Sequence, residues 1–118
     1  MATITKIPLS GAGADGDGVL ITTASPIDGS DTVVHTAVTG TTDLDLVTLF
    51  AYNDHTSDVV LHLKWGDGST SIKQTIPFKN GLNLVVADLP ICDANTIEAS
   101  AATTSVIVIF GYVNRIDN

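Results

Sequence analysis

The chain has 118 residues, with 13 acidic side chains against 5 basic ones, a net charge of −8 and a mean hydropathy of +0.33. That length suits one domain able to bury a core without metals, and the single Cys92 excludes an intramolecular disulfide. The acidic balance offers nucleic acid no basic face, and no run of about 20 apolar residues is present to span a membrane.

The opening "MATITKIPLSG" lacks a positive segment followed by an apolar one, so it does not read as a signal peptide. Thr3–Leu9 alternates and is expected to be a strand. "SGAGADGDG" follows as a connector. Further strands are expected at Val19–Ala24, Thr32–Thr39, Leu44–Asn53 and Val59–Trp65. After "GDGS" come Thr70–Phe78, Leu82–Asp88, Thr96–Ala101 and Ser105–Ile116. Pro77 places its strand at an edge or an end. Glu98 is the only glutamate and lysine is scarce, so helix builders are missing while Thr, Val and Ile abound. Eight or nine short strands with turn signals every 8–12 residues or so predict an all-β, single-domain antiparallel sandwich, jelly-roll-like. Residues 1–18 read as an N-terminal arm and a Gly/Asp-rich hinge, and residues 19–118 as the sandwich.

Alternation also assigns faces. Val59, Leu61, Leu63 and Trp65 share one side of their strand, and Val60, His62 and Lys64 the solvent side. Two strands are apolar on both sides. Leu44, Leu46, Phe50 and Tyr52 oppose Val47, Leu49 and Ala51; Val106, Val108, Phe110 and Tyr112 oppose Ile107, Ile109 and Val113. A sandwich covers one face of each sheet. The second apolar face needs a further cover, supplied by a long loop or by another subunit.

Motifs for chemistry are weak. Asp15 and Asp17 are calcium candidates, but the twelfth position counted from Asp15 is Pro26 rather than glutamate. A phosphate cradle needs a helix after its glycine loop, and "GVLITTA" reads as a strand. Asp–Gly pairs in "DGSD" and "WGDGST" read as turns. His35 and His62 are expected on the polar sides of their strands, and His55 in a turn. No H-x-H or C-x-x-C motif suggests zinc. Cys92 reads as a small apolar residue, and Trp65 as a plug at the end of the core rather than a sugar platform. No catalytic set, cofactor or metal is expected, and the chain reads as a non-enzyme. Arg115, the one arginine, is expected to pair with a carboxylate across a subunit boundary.

The strings "HTAVTGTTDLDLVTLFAYND", "LKWGD", "TIPFKNGLNLVVADLPI" and "IEASAATTSVIVIFGYVNRI" resemble a group of small tailed-bacteriophage proteins encoded among virion structural genes. The similar segments run from His35 to Ile116, about two thirds of the chain. "FGYVNRI", Phe110 to Ile116, is the most specific piece, and the "IP-x-x-x-G-L" step at Ile76 to Leu82 the next. The resemblance implies an all-β capsid decoration (cement) protein, often trimeric, on the exterior of the virion and in contact with the major capsid protein. A neck, tail or head-fibre component with a receptor- or carbohydrate-binding role is the rival. The group supplies no catalytic residues. On this reading Phe110, Tyr112, Val113, Arg115 and Ile116 form a subunit interface. Ile4, Ile7 and Leu9, in an arm packed away from its own core, contact the capsid or a neighbour. Deleting the arm is then expected to weaken assembly more than folding.

Overall fold

The computed structural model describes residues 2–12, 16–24, 31–66 and 71–118. Nine strands form among them: β1 (Thr3–Pro8), β2 (Val19–Leu20), β3 (Thr32–Thr36), β4 (Leu44–Asn53), β5 (Val59–Trp65), β6 (Ser71–Ile76), β7 (Asn83–Ile91), β8 (Thr96–Ala101) and β9 (Ile107–Asp117). A 3₁₀ turn at Ser10–Ala12 lies between β1 and β2. One sheet has the order β1-β9-β4-β7, with β2 also on β9, and the other the order β3-β8-β5-β6. All strand pairings are antiparallel.

The pairings nest. β5 pairs with β6, β4 with β7, β3 with β8, and β1 and β2 with β9. One long hairpin is therefore folded over, so that β4 also meets β9 and β5 also meets β8. That is a jelly-roll sandwich, in which rolling the hairpin covers one face of each sheet with the other. The expected fold is thus observed. Leu49, Leu61, Leu63, Ile76, Ile97, Ile107 and Ile109, each at most 1% exposed, fill the space between the sheets.

Several strands match their expected spans, and the departures have local causes. β6 is an edge strand and stops at Ile76, before Pro77. β7 runs on through Pro90, which an edge strand tolerates because one side of it forms no ladder. β2 is only two residues long, because the chain there leaves one sheet for the other. Ile21 still exchanges backbone bonds with Ile107 and Ser105, while Thr23 already accepts the Ala101 N–H.

The N-terminal arm is corrected. β1 pairs with β9 of its own chain through six residue pairs, Thr3 with Asp117 to Pro8 with Tyr112. Leu9 is 1% exposed in the core, and Ile7 packs against it. Ile4 alone of the three expected contact residues is open, at 68%. The glycine connector is anchored as well. A side chain at Gly11 would strike the carbonyls of Val33 and Val34, and one at Gly18 would strike Val108 and the Phe110 ring. These glycines serve close approach, while Gly16 supplies a positive φ of 74°.

Leu9→Ala is expected to cost about 2–5 kcal/mol in urea denaturation, because it empties a filled core position. Ile4→Ala should stay within about 0.5 kcal/mol. Equal effects from the two would contradict a β1 that ends in its own core.

Candidate functional site

Two features stand apart from an ordinary sandwich: a buried charged cluster at one end of β4, and the outward side of the sheet that β4 and β9 share.

In β4, Asp45, Val47, Leu49, Ala51 and Asn53 all point inward and are buried. Asp45 is 0% exposed yet fully engaged. Arg115 Nε and an Arg115 terminal nitrogen donate to its two oxygens at 2.7 and 3.0 Å, and the Val38 N–H donates at 3.1 Å. His35 Nε2 lies 2.8 Å from Asp45 Oδ2. On the far side of the imidazole, the Ser10 N–H donates to His35 Nδ1 at 3.1 Å. One carboxylate thus joins β3, β4 and β9 and, through the ring, the 3₁₀ turn after β1.

Burial pushes the Asp45 carboxyl up. The hydrogen bonds from Arg115 and His35, the Arg115 charge and the Val38 N–H outweigh it and hold the group below its ordinary value. The bonds to Asp45 raise Arg115, against the opposing effect of burial, and Asp43 and Asp117 add to the rise.

This cluster corrects two expectations. His35 is not on a polar face but 1% exposed in the interior. A bulge between Val33 and His35 breaks the alternation, so Val34 and His35 both turn inward. Arg115 finds its carboxylate within its own chain, 70 residues earlier. Val113, also expected at an interface, is 0% exposed in the core.

The outward side of the sheet holds the other expected interface residues. Opposed pairs across β4 and β9 are Leu44 with Ile116, Leu46 with Asn114, Thr48 with Tyr112, Phe50 with Phe110, and Tyr52 with Val108. β1 adds Ile4, Lys6 and Pro8, β2 adds Leu20, and β7 adds Leu84 and Pro90. Four of the chain's six aromatic side chains are therefore on this one face. Its only charged groups among these positions are Lys6, whose ammonium stands 4.5 Å from the Tyr112 ring centroid, and none is acidic. Ile4, Leu20, Leu84 and Phe110 are exposed there, and the remaining apolar groups of β4 and β9 half-exposed. Among the described residues, the cover on this face is local, with Gly18 against Phe110 and with Asp88, whose N–H donates to Thr48 Oγ1.

The outward side of the second sheet is polar by contrast. It carries Lys64, Lys73, Ser71 and Thr75 with Glu98, and His62 between them. Burial lowers the His62 pKa, and the Lys73 charge lowers it further.

Of the remaining candidates, Asp15 lies outside the described residues, as does most of "DGSD" and "WGDGST", and Asp17 is exposed. Among the described residues no three His, Cys, Asp or Glu side chains are grouped to hold a metal ion. Trp65 is packed against the core, its Nε1–H donating to the Pro90 carbonyl at 3.1 Å. Cys92 is half-buried just beyond β7. No protein-family model matches the chain, and no curated protein or solved structure matches it.

Asp45→Asn should destabilise the fold by about 3 kcal/mol, because it leaves the guanidinium without its counter-charge. Since the folded pKa of Asp45 is depressed, its contribution is complete above the ordinary carboxylate value near about 4 and is lost as pH falls through the lower folded value. Urea midpoints measured down the acid limb should therefore fall less steeply for Asp45→Asn than for the parent chain. Parallel limbs would show that this carboxylate is not depressed by folding.

Proposed function

We propose that this chain is a non-catalytic structural protein of a tailed-bacteriophage virion. It is a capsid decoration (cement) protein that assembles as a homotrimer and bridges subunits of the major capsid protein on the outside of the shell. The virion assignment rests on the resemblance carried by residues 35–116. The assembly itself rests on the outward face of the β1-β9-β4-β7 sheet.

In a chain of net charge −8, the outward positions of β4 and β9 carry no acidic side chain and gather four aromatics, although Asp54 accepts from the Tyr52 hydroxyl and the Asp88 backbone lies against Thr48. Depletion of charge with enrichment of aromatics marks the core of a protein–protein contact rather than a solvated surface. The size is adequate. Strands of about ten residues at about 3.3 Å each, four abreast at about 4.8 Å, give a face of roughly 600 Å² per copy. In a trimer each copy gives half of its face to each neighbour, so each pairwise contact buries roughly 600 Å². The three together bury roughly 1,800 Å², which reaches the size of a stable interface only over the whole assembly. Copies that repel one another elsewhere meet here without like charges opposed. Three faces turned towards a three-fold axis set the β9 half of one copy against the β7 half of the next, a heterologous contact that closes. The polar outside of the second sheet then faces away from the axis.

Native mass spectrometry at micromolar concentration should give a trimer. Phe50→Asp and Phe110→Asp should each weaken it by at least about a hundredfold while leaving the urea midpoint nearly unchanged, since both side chains point outward. A parent chain that stays monomeric, or variants that still form trimers, would count against the face. Cryo-electron microscopy of the intact particle separates the locations. Density on the shell supports decoration, whereas density on the neck, tail or a head fibre favours the receptor- or carbohydrate-binding role instead.

A further inference from the structure

Ser10 holds β3 by two bonds. Its N–H donates to His35 Nδ1 at 3.1 Å, and its Oγ accepts the Thr36 N–H at 2.7 Å. A backbone N–H can only donate, so Nδ1 is the ring's acceptor and Nε2 carries the hydrogen that goes to Asp45. The tautomer is thus set by groups on both sides of a ring that is 1% exposed. We propose that His35 is an acid-released latch: a proton taken from solvent onto Nδ1 expels the Ser10 N–H, and the 3₁₀ turn comes away from β3.

The surroundings of the ring favour release over accommodation. β4 presents Asp45, whose carboxylate already has a bidentate cation in Arg115 of β9, with Asp43 and Asp117 acting on that arginine from beyond. β8 presents Ile97, which is apolar, opposite His35 in the ladder. The N-terminal segment presents the Ser10 donor. A protonated ring would carry hydrogens on both nitrogens, and the one on Nδ1 would meet another hydrogen donor. The new positive charge would also share one buried carboxylate with Arg115, so the least costly state lets water reach Nδ1. The bonds to Asp45 survive, which makes the opening local rather than global. β1 itself keeps its six residue pairs with β9, so the opening is confined to the turn that follows it. The opening itself does not depend on what the face binds.

Nitrogen-15 NMR of the imidazole, combined with amide exchange on the same sample, tests this from about pH 7.5 to about pH 5. The ring should start as the Nε2–H tautomer and become protonated. In step with it, the protection of the Ser10 and Thr36 amides should fall about tenfold or more relative to Ile109 and Val113, after correction for intrinsic exchange. In His35→Gln, which cannot titrate, that relative protection should not change with pH. The Nδ1–H tautomer near neutrality would overturn the proposal. So would a ring that is protonated while Ser10 stays protected, or one that stays neutral throughout. Should His35→Gln fail to fold, the ring and amide signals of the parent chain still decide the matter.

Discussion

A carboxylate with no exposure to water sits at the start of β4, and the register of the central strands follows from it. Burying a charge is costly unless it is paired and hydrogen-bonded. Asp45 meets that condition in one place only, where Arg115, His35 and the Val38 N–H converge. A slip of β4 by one residue would carry Asp45 to the outside and bring Leu46 in, losing every one of those bonds. Asn53 closes the other end of the strand. Its amide donates to the Ser57 and Ile76 carbonyls at 3.0 and 2.9 Å and accepts the His55 N–H at 2.9 Å. Between these two polar clamps, Val47, Leu49 and Ala51 have no freedom to choose their face. The ten-pair ladder with β9 is fixed in consequence.

The same register composes the outer surface. With inward positions fixed, the intervening residues of β4 and β9 must point out, and they are Leu44, Leu46, Thr48, Phe50 and Tyr52 against Val108, Phe110, Tyr112, Asn114 and Ile116. At the middle of β9, Gly111 lets the two strands approach, since a side chain there would run into the Thr48 carbonyl. The result is a molecule with one largely apolar and one largely polar outer side, the asymmetry on which the proposed assembly rests. The C-terminus is held in place beside it: the Asn118 N–H donates to Asp43 at 2.8 Å, and its amide donates to the Thr42 carbonyl at the same distance.

Much of this was legible in the sequence. Val59–Trp65 and Thr96–Ala101 alternate, Leu44–Asn53 is apolar on both sides between turn signals, and all three form strands over those spans. The double-sided apolar pattern of the fourth and last strands also marked the face that the described residues cover only in part. What stayed hidden depends on irregularity or on distance. The β3 bulge reverses the side taken by His35, and no periodicity signals it. The partner of Arg115 is an aspartate 70 residues away, brought adjacent only when the hairpin rolls over. The first strand looked separable because glycines follow it. Gly11 and Gly18 are in fact packed against β3 and β9, and Leu9 completes the core. A glycine selected for close contact reads in sequence like one selected for freedom.

The central claim is that the aromatic side of the β1-β9-β4-β7 sheet is covered by protein when the molecule is at work. Hydroxyl-radical footprinting of Phe50, Tyr52, Phe110 and Tyr112, on the assembled form and on a sample diluted until it dissociates, measures that cover directly. Modification of all four should drop severalfold on assembly, while Trp65 and Phe78, which lie off this face, react equally in both states. Equal labelling of the four in the two states would show that the face stays open to water and that assembly uses another surface.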